Sequence, residues 1–289
     1  MSFLRFFCYL NLKTLRQLVR GILQRRLPGL AAEMAYSNAL AMFPAMVGLL
    51  TVIGTLKISP DWVDAVTRQW LSVAPQEVIE LVEGFLQQIR LPNGEEVFPA
   101  SILITLWIAS TAISVAMSAM DQIYQTPLMH RRPFWKARLV AVLLTVGSLA
   151  VLLTASFLVF ISDWIVQFLS NYTTSFQAEF WQAWGSLRWV FAFAILSFGF
   201  GVLYRFGPSQ WQIGTPLLPG AIIGALLWGL ISQGFRVYLA YFGSRLSLTY
   251  GALSAGILLL LWLNLSSLAL LIGAQLNVTV RQAMLEEEI

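Results

Sequence analysis

Asn38, Gln233, Asn264, Ser266, Ser267, Gln275 and Asn277 are amide and hydroxyl side chains set inside stretches that are otherwise apolar, and Arg236 stands among them. Amides and hydroxyls donate and accept hydrogen bonds without bringing a charge into a low-dielectric region, so together they can line a polar groove between helices. A guanidinium grips phosphate or carboxylate through two parallel N–H groups, which makes Arg236 a candidate anchor for an anionic group. The residues expected to line the groove or touch a substrate are Asn38, Gln233, Arg236, Asn264, Ser267, Gln275 and Asn277. The plainer use of these side chains is hydrogen bonding between helices with no ligand at all.

A second set is charged. Glu33, Asp121, Asp163 and Arg205 lie at or near the ends of the apolar stretches. Charge at bilayer depth costs several kcal/mol unless it is paired, hydrated or able to reach an interface. Glu33 has Arg25, Arg26 and Arg205 as candidate partners, and Arg236 has Asp163; snorkelling to water would serve either. Pro44, inside the first apolar run, is expected to break its helix and free a carbonyl near Leu40. Ser110, Ser114 and Ser118 recur every four residues, and Gly220 with Gly224 forms a small-xxx-small pair. Such stripes let helices approach closely.

The elements that position these groups are set by charge spacing. Six runs contain no Asp, Glu, Lys or Arg: Met34 to Leu56, Val97 to Met120, Leu139 to Ser162, Trp189 to Tyr204, Phe206 to Phe235 and Leu246 to Val280. A hydrocarbon core of roughly 30 Å takes about 20 apolar helical residues, each advancing about 1.5 Å with its amide bonded internally. The spacing predicts an all-α polytopic membrane protein, a single domain over 1–289 with spans at about 31–56, 98–120, 139–161, 186–205, 217–242 and 253–279. The fourth reaches full length only if Arg188 and Arg205 extend to the two interfaces. A composition of 58% hydrophobic and 11% charged residues excludes an ordinary soluble domain.

Orientation follows from the cations. Twelve of them, including Arg25, Arg26, Arg131, Arg132, Arg138, Arg205 and Arg281, fall on one predicted face, and four fall on the other. The positive-inside rule then places both termini in the cytoplasm of a bacterial inner membrane, with anionic lipid headgroups as partners of the basic face. Residues 1–30 mix cations with Phe and Leu, as an amphipathic helix lying on the inner leaflet would. No cleavable signal peptide is expected. The connection at 57–96 should hold two short amphipathic helices, and the aromatic-rich 163–185 an interfacial belt. Small-residue faces would allow a homo-oligomer.

Several chemistries lack their parts. The chain has one histidine, His130, and one cysteine, Cys8, so neither a clustered metal site nor an internal disulfide is expected. No GxxxxGK loop points to a nucleotide, and no GxSxG elbow to a hydrolase. The expectation is a protein that is not an enzyme, takes no cofactor or metal and binds no nucleic acid.

Several segments together resemble the YihY/BrkB family of bacterial inner-membrane proteins, once mislabelled ribonuclease BN. They are LPGAIIGALLW at 218–228 with Phe235, Tyr238 and Phe242; YGALSAGILLLLWL at 250–263; LLIGAQLNV at 270–278; AAEMAYSNALAMFPAM at 31–46; and RRPFWKAR at 131–138. The resemblance implies six spans. Gln275 stands where that family usually has Glu, and Asp121 where Asn is common, so a proton-coupling role for that Glu would not transfer here. For function, the sequence favours transport or translocation of an amphipathic or anionic molecule such as a lipid or its precursor; the rival is a scaffold that organises envelope partners without transporting anything.

Overall fold

The computed structural model describes residues 11–55, 99–151, 177–212, 214–251 and 253–287. They form helices α1 (Leu12–Gln24), α2 (Leu27–Thr55), α3 (Pro99–Ala109), α4 (Thr111–Ile123), α5 (Phe134–Val151), α6 (Gln177–Phe206), α7 (Leu218–Tyr250) and α8 (Leu253–Glu287), with one 3-10 turn at Leu128–His130. No strand occurs among the described residues. The expected helices in 57–96, the belt residues before Gln177, Asp163 and the last part of the third predicted span lie outside them.

Among the described residues, four helical stretches are long and apolar enough to cross a membrane: Leu103–Ile123, Phe134–Val151, Leu218–Gly243 and Leu253–Glu286; Val190–Phe206 is a shorter apolar one. Only 11% to 33% of each long stretch is buried within the chain. Leu103, Leu143, Val190, Leu230 and Leu253 turn outward and are exposed. Water would not tolerate that much outward-facing aliphatic surface, and acyl chains do.

The core explains which helices meet. Leu27, Leu30, Ala31 and Met34 of α2 pack with Ala116, Ala119, Met120 and Ile123 of α4, Tyr204 of α6, Ala221 of α7, and Leu271, Ala274 and Val278 of α8. Phe235, Leu239 and Leu258 form a second cluster where α7 and α8 join near Gly251. The α7–α8 hairpin is the most extensive helix pair, and α2 lies along α8. Small residues bring α6, α7 and α8 together at one point. A Cβ at Gly273 would stand 2.4 Å from Tyr204 Oη and 2.6 Å from Gly220 O, and one at Gly224 would stand 2.9 Å from Tyr204 Oη. Tyr204 uses that room to donate to Leu270 O at 2.7 Å.

Two features differ from simple rods. Pro44, where the sequence predicts an opening, lies inside a helix that continues to Thr55; its ring withholds a single N–H. The interruption falls instead at Ser110, between α3 and α4. There Arg138, buried at the start of α5, donates Nη1 to Ser114 Oγ at 3.2 Å and Nη2 to the Trp107 carbonyl, with its guanidinium 4.5 Å from the centre of the Trp107 ring. The cation is thus paid into the span by a hydroxyl, a carbonyl and an aromatic face rather than by an acid.

Candidate functional site

One end of the bundle gathers Arg25, Arg26, Arg131, Arg132, Arg205 and Arg281 with several helix termini. There, helix ends expose carbonyls and amides with no intrahelical partner, and side chains from distant elements satisfy them. Ile123 O, at the end of α4, accepts from Arg25 Nη1 at 2.5 Å. Tyr124 O accepts from Gln212 Nε2 at 2.9 Å, and Gln212 Oε1 accepts from Arg281 Nη1 at 2.8 Å. Arg132 Nη1 closes the end of α6 on the carbonyls of Phe206 and Gly207, at 2.9 and 3.1 Å. Arg205 stacks its guanidinium 4.5 Å from the centre of the Trp211 ring. The N-terminal segment, the loop after α4, the turn after α6 and the end of α8 are therefore knitted into one basic end.

Asp121 organises this end. Its Oδ1 accepts Ser209 N–H at 2.6 Å and its Oδ2 accepts the Ser209 hydroxyl at 2.7 Å, while Arg132 N–H donates to Ser209 Oγ at 3.2 Å. Burial lowers the Arg132 pKa from its ordinary value, and the nearby Asp121 charge opposes that shift. Burial also lowers that of Arg25, although a guanidinium remains charged at any physiological pH.

Beside this network opens a cleft of about 730 Å³, walled by Arg25, Arg26, Glu33, Asp121, Gln125 and Arg131, with Gly29, Leu30 and Thr126 between them. Arg25 is committed to Ile123 O and to Gln275 Oε1, the latter at 2.6 Å. The side chains of Arg26, Glu33 and Arg131 make no hydrogen bond or ion pair with another described residue. They are exposed to the cleft and to solvent.

The backbone of two wall residues is informative. Arg26 and Gln125 both have φ of 53°, in the left-handed region where glycine is favoured. Each sits one residue past the cap of its helix, and Gln125 N–H to Gln122 O with Thr126 N–H to Asp121 O completes the two-bond helix stop for which glycine is the usual residue. Long polar side chains occupy both positions and both line the cleft. Arg26→Gly and Gln125→Gly are each expected to leave the melting temperature of the detergent-purified protein unchanged or to raise it, relieving about 1 kcal/mol of backbone strain. A clear drop in either melt would mean that the side chain holds the fold.

The polar residues singled out from the sequence lie in separate places. Asn38 Nδ2 meets Ser267 Oγ at 3.5 Å, between α2 and α8. Gln275 is buried, accepts from Arg25 and donates to Thr279 Oγ1 at 3.1 Å. Asn277 is buried and completes the start of α7: Gly220 N–H donates to its Oδ1 at 2.9 Å, and its Nδ2 donates to Leu217 O at 3.3 Å. Leu217 has no side-chain acceptor and Pro219 no N–H, so a neighbouring helix supplies the cap. Asn264 and Ser266 are half-buried on α8, whereas Gln233 and Arg236 are on the exposed side of α7. Glu33 and Asp121 share the cleft wall. Arg205 sits on Trp211, and Asp163, the suggested partner of Arg236, lies outside the described residues.

Arg138, Arg132, Arg131 and Gln212 did not emerge from the sequence as site residues. The signal for Arg138 was there: a cation abutting the apolar run from Leu139, in a chain with a serine stripe at Ser110, Ser114 and Ser118. Ser110 donates to the Trp107 carbonyl of α3, Ser118 to the Ser114 carbonyl of its own helix, and Ser114 also receives Arg138.

The long apolar helices, their outward-facing side chains and the knitted basic end define a helical membrane protein. A model of the family described as virulence factor BrkB matches residues 18–288, and the chain belongs to that family. It is 27% identical to the ribonuclease-like protein YfkH of Bacillus subtilis, over 86% of this chain and 87% of that protein. It is 23% identical to a UPF0761 membrane protein of Tolumonas auensis, over 96% of this chain and 88% of the other. A UPF0761 membrane protein of Xanthomonas oryzae pv. oryzae is 28% identical over 90% of this chain and 59% of its own length. No solved structure matches. Among the described residues no group of three or more His, Cys, Asp or Glu side chains could hold a metal ion.

Proposed function

We propose that this protein is a six-span inner-membrane transporter or translocator that takes an amphipathic or anionic molecule, a lipid or lipid precursor, at its basic end, with both termini cytoplasmic. The observation that carries the reading is the cleft of Arg25, Arg26 and Arg131 at the C-terminal end of α1. Helix α1 rests on α8 through Leu18 and Gly21, and beside that face Leu12, Leu15, Val19 and Leu23 form a stripe 50% to 72% exposed, bordered by Lys13, Arg16 and Arg20. An exposed apolar stripe beside a cationic one suits a helix lying at the boundary of headgroups and acyl chains. A molecule with an apolar tail and an anionic head would therefore reach the cleft from the bilayer, head toward the arginines.

The ribonuclease-like name belongs to the Bacillus subtilis relative, and among the described residues no His, Cys, Asp or Glu group stands ready to hold the metal such a nuclease would use. A scaffold role has one observation in its favour, since Gln275 and Asn277 are buried and engaged with other parts of the chain. The purified protein reconstituted into liposomes separates the two. Translocation of fluorescent lipid, reduced at least fivefold by Arg131→Ala, is the expected result; no movement of lipid or small anions, with envelope proteins copurifying, would favour the scaffold. A tag after Ile289 should be protected from periplasmic probes in intact cells, and labelling there would overturn the orientation.

A further inference from the structure

We propose that the cleft at the basic end is a binding site for an aminophosphate zwitterion, a phosphoryl group joined through a short linker to a protonated amine, in which Arg26 and Arg131 take the phosphate and Glu33 takes the ammonium. The proposal rests on the reading of this cleft as the place where a headgroup binds, and it does not require transport.

Three observations converge on it. The cleft presents charged groups of both signs, and the three named here have no partner elsewhere in the described structure. Arg25 and Asp121, which line the same cleft, are held by Ile123, Gln275 and Ser209 and serve as fixed wall. The groups left facing the opening are therefore two guanidiniums and one carboxylate. A site for a simple anion gains nothing from a carboxylate, which repels the ligand; a ligand carrying its own cation turns that repulsion into an attraction. The second observation is the backbone at Arg26 and Gln125, where the helix stops would be easier with glycine and long side chains stand in the left-handed region instead. The third is position: Gln24 ends α1 and Arg25 and Arg26 follow it in the cleft wall, and the exposed apolar stripe of α1 suits the boundary of headgroups and acyl chains.

Phosphate with an adjacent amine occurs both in the headgroup of phosphatidylethanolamine and in soluble phosphoethanolamine. Binding is measured by isothermal titration on the full-length protein in a non-ionic detergent, using short-chain phosphatidylethanolamine, short-chain phosphatidylglycerol and phosphoethanolamine as probes. The expected order is phosphatidylethanolamine tightest. Loss of one charge partner in a half-open site should weaken its affinity about fivefold to tenfold in Arg131→Ala, Arg26→Gly and Glu33→Gln. The signature of the amine subsite is a split: Glu33→Gln weakens phosphatidylethanolamine but leaves phosphatidylglycerol unchanged or tighter. Equal effects on the two lipids would overturn the assignment of Glu33, and lipid binding indifferent to both arginine variants would overturn the site. Phosphoethanolamine binding as tightly as the lipid would assign the cleft to a soluble ligand and overturn the headgroup source. Arg26→Gly guards against loss of fold, because its backbone change is expected to be neutral or stabilising. Zwitterion binding with no lipid movement in liposomes would keep this inference and defeat the transport reading; lipid movement without cleft binding would do the reverse.

Discussion

Gly273→Ala should unseat the junction of α6, α7 and α8, lowering stability by about 2–4 kcal/mol in a reversible detergent-denaturation titration or preventing the protein from accumulating in the membrane. The added methyl would stand 2.4 Å from Tyr204 Oη, 2.6 Å from the Gly220 carbonyl and 3.2 Å from Gly224 Cα. Two of those atoms are backbone, so no rotamer change on a neighbour can make room, and α7 must move away from α8. That movement strains the bond from Tyr204 to Leu270 O and the cap that Asn277 provides to Gly220 N–H. Gly234→Ala is the internal control: nothing stands within 4 Å of its Cβ position, and alanine is the better helix former by about 0.5–1 kcal/mol, so stability should hold or rise slightly. Equal losses for the two variants would contradict the packing described here.

Asp121→Ala should be nearly as damaging, at about 2–3 kcal/mol, and its damage should be local to the basic end. Removing the carboxylate leaves Ser209 N–H and Ser209 Oγ without the acceptors they meet at 2.6 and 2.7 Å. An amide left unpaired in a part-buried position carries its desolvation penalty uncompensated, and a charge-assisted bond is lost with it. The turn after α6 then keeps only the bond from Gln212 to Tyr124 O as its tether to the end of α4, and Arg132 loses a neighbouring charge. Asp121→Asn keeps one acceptor for Ser209 N–H and should cost less than half as much. Hydrogen exchange should show faster exchange confined to 207–217 and the end of α4 in the alanine variant. A uniform change along α7 and α8 would mean that Asp121 acts through the whole bundle.

Much of the architecture was legible in the uncharged runs. All but the last residue of the run from Met34 lies within α2, that from Trp189 lies within α6, that from Phe206 contains the turn after α6 and runs into α7, and that from Leu246 lies mostly within α8. Four of the helical stretches they predict meet the length and hydropathy of a span, and a fifth is shorter. The amphipathic character of the N-terminal segment was visible in the alternation of Leu15, Leu18 and Ile22 with Arg16 and Arg20, and α1 forms there. The Gly220 and Gly224 spacing signalled a close approach, and α6 and α8 make it.

The site was far less legible. Arg138 counted by sequence among the cations of the basic face, yet it turns inward to Trp107 and Ser114. Asn277 looked like a groove residue, and only the placement of Leu217 and Gly220 against α8 shows that it substitutes for a missing cap. Arg25 and Gln275 are joined across 250 positions of chain, a distance over which no periodicity can be read.

The amino-acid order alone determined the solvent of this protein, the helical form of its elements and the end at which cations collect, since transfer energy and backbone satisfaction in lipid are properties of each segment taken by itself. Tertiary structure decided which polar groups face one another. That depends on how each helix is rotated about its axis and on which residues let two backbones touch, and a turn of 100° per residue moves the same side chain from lipid to core or to the cleft.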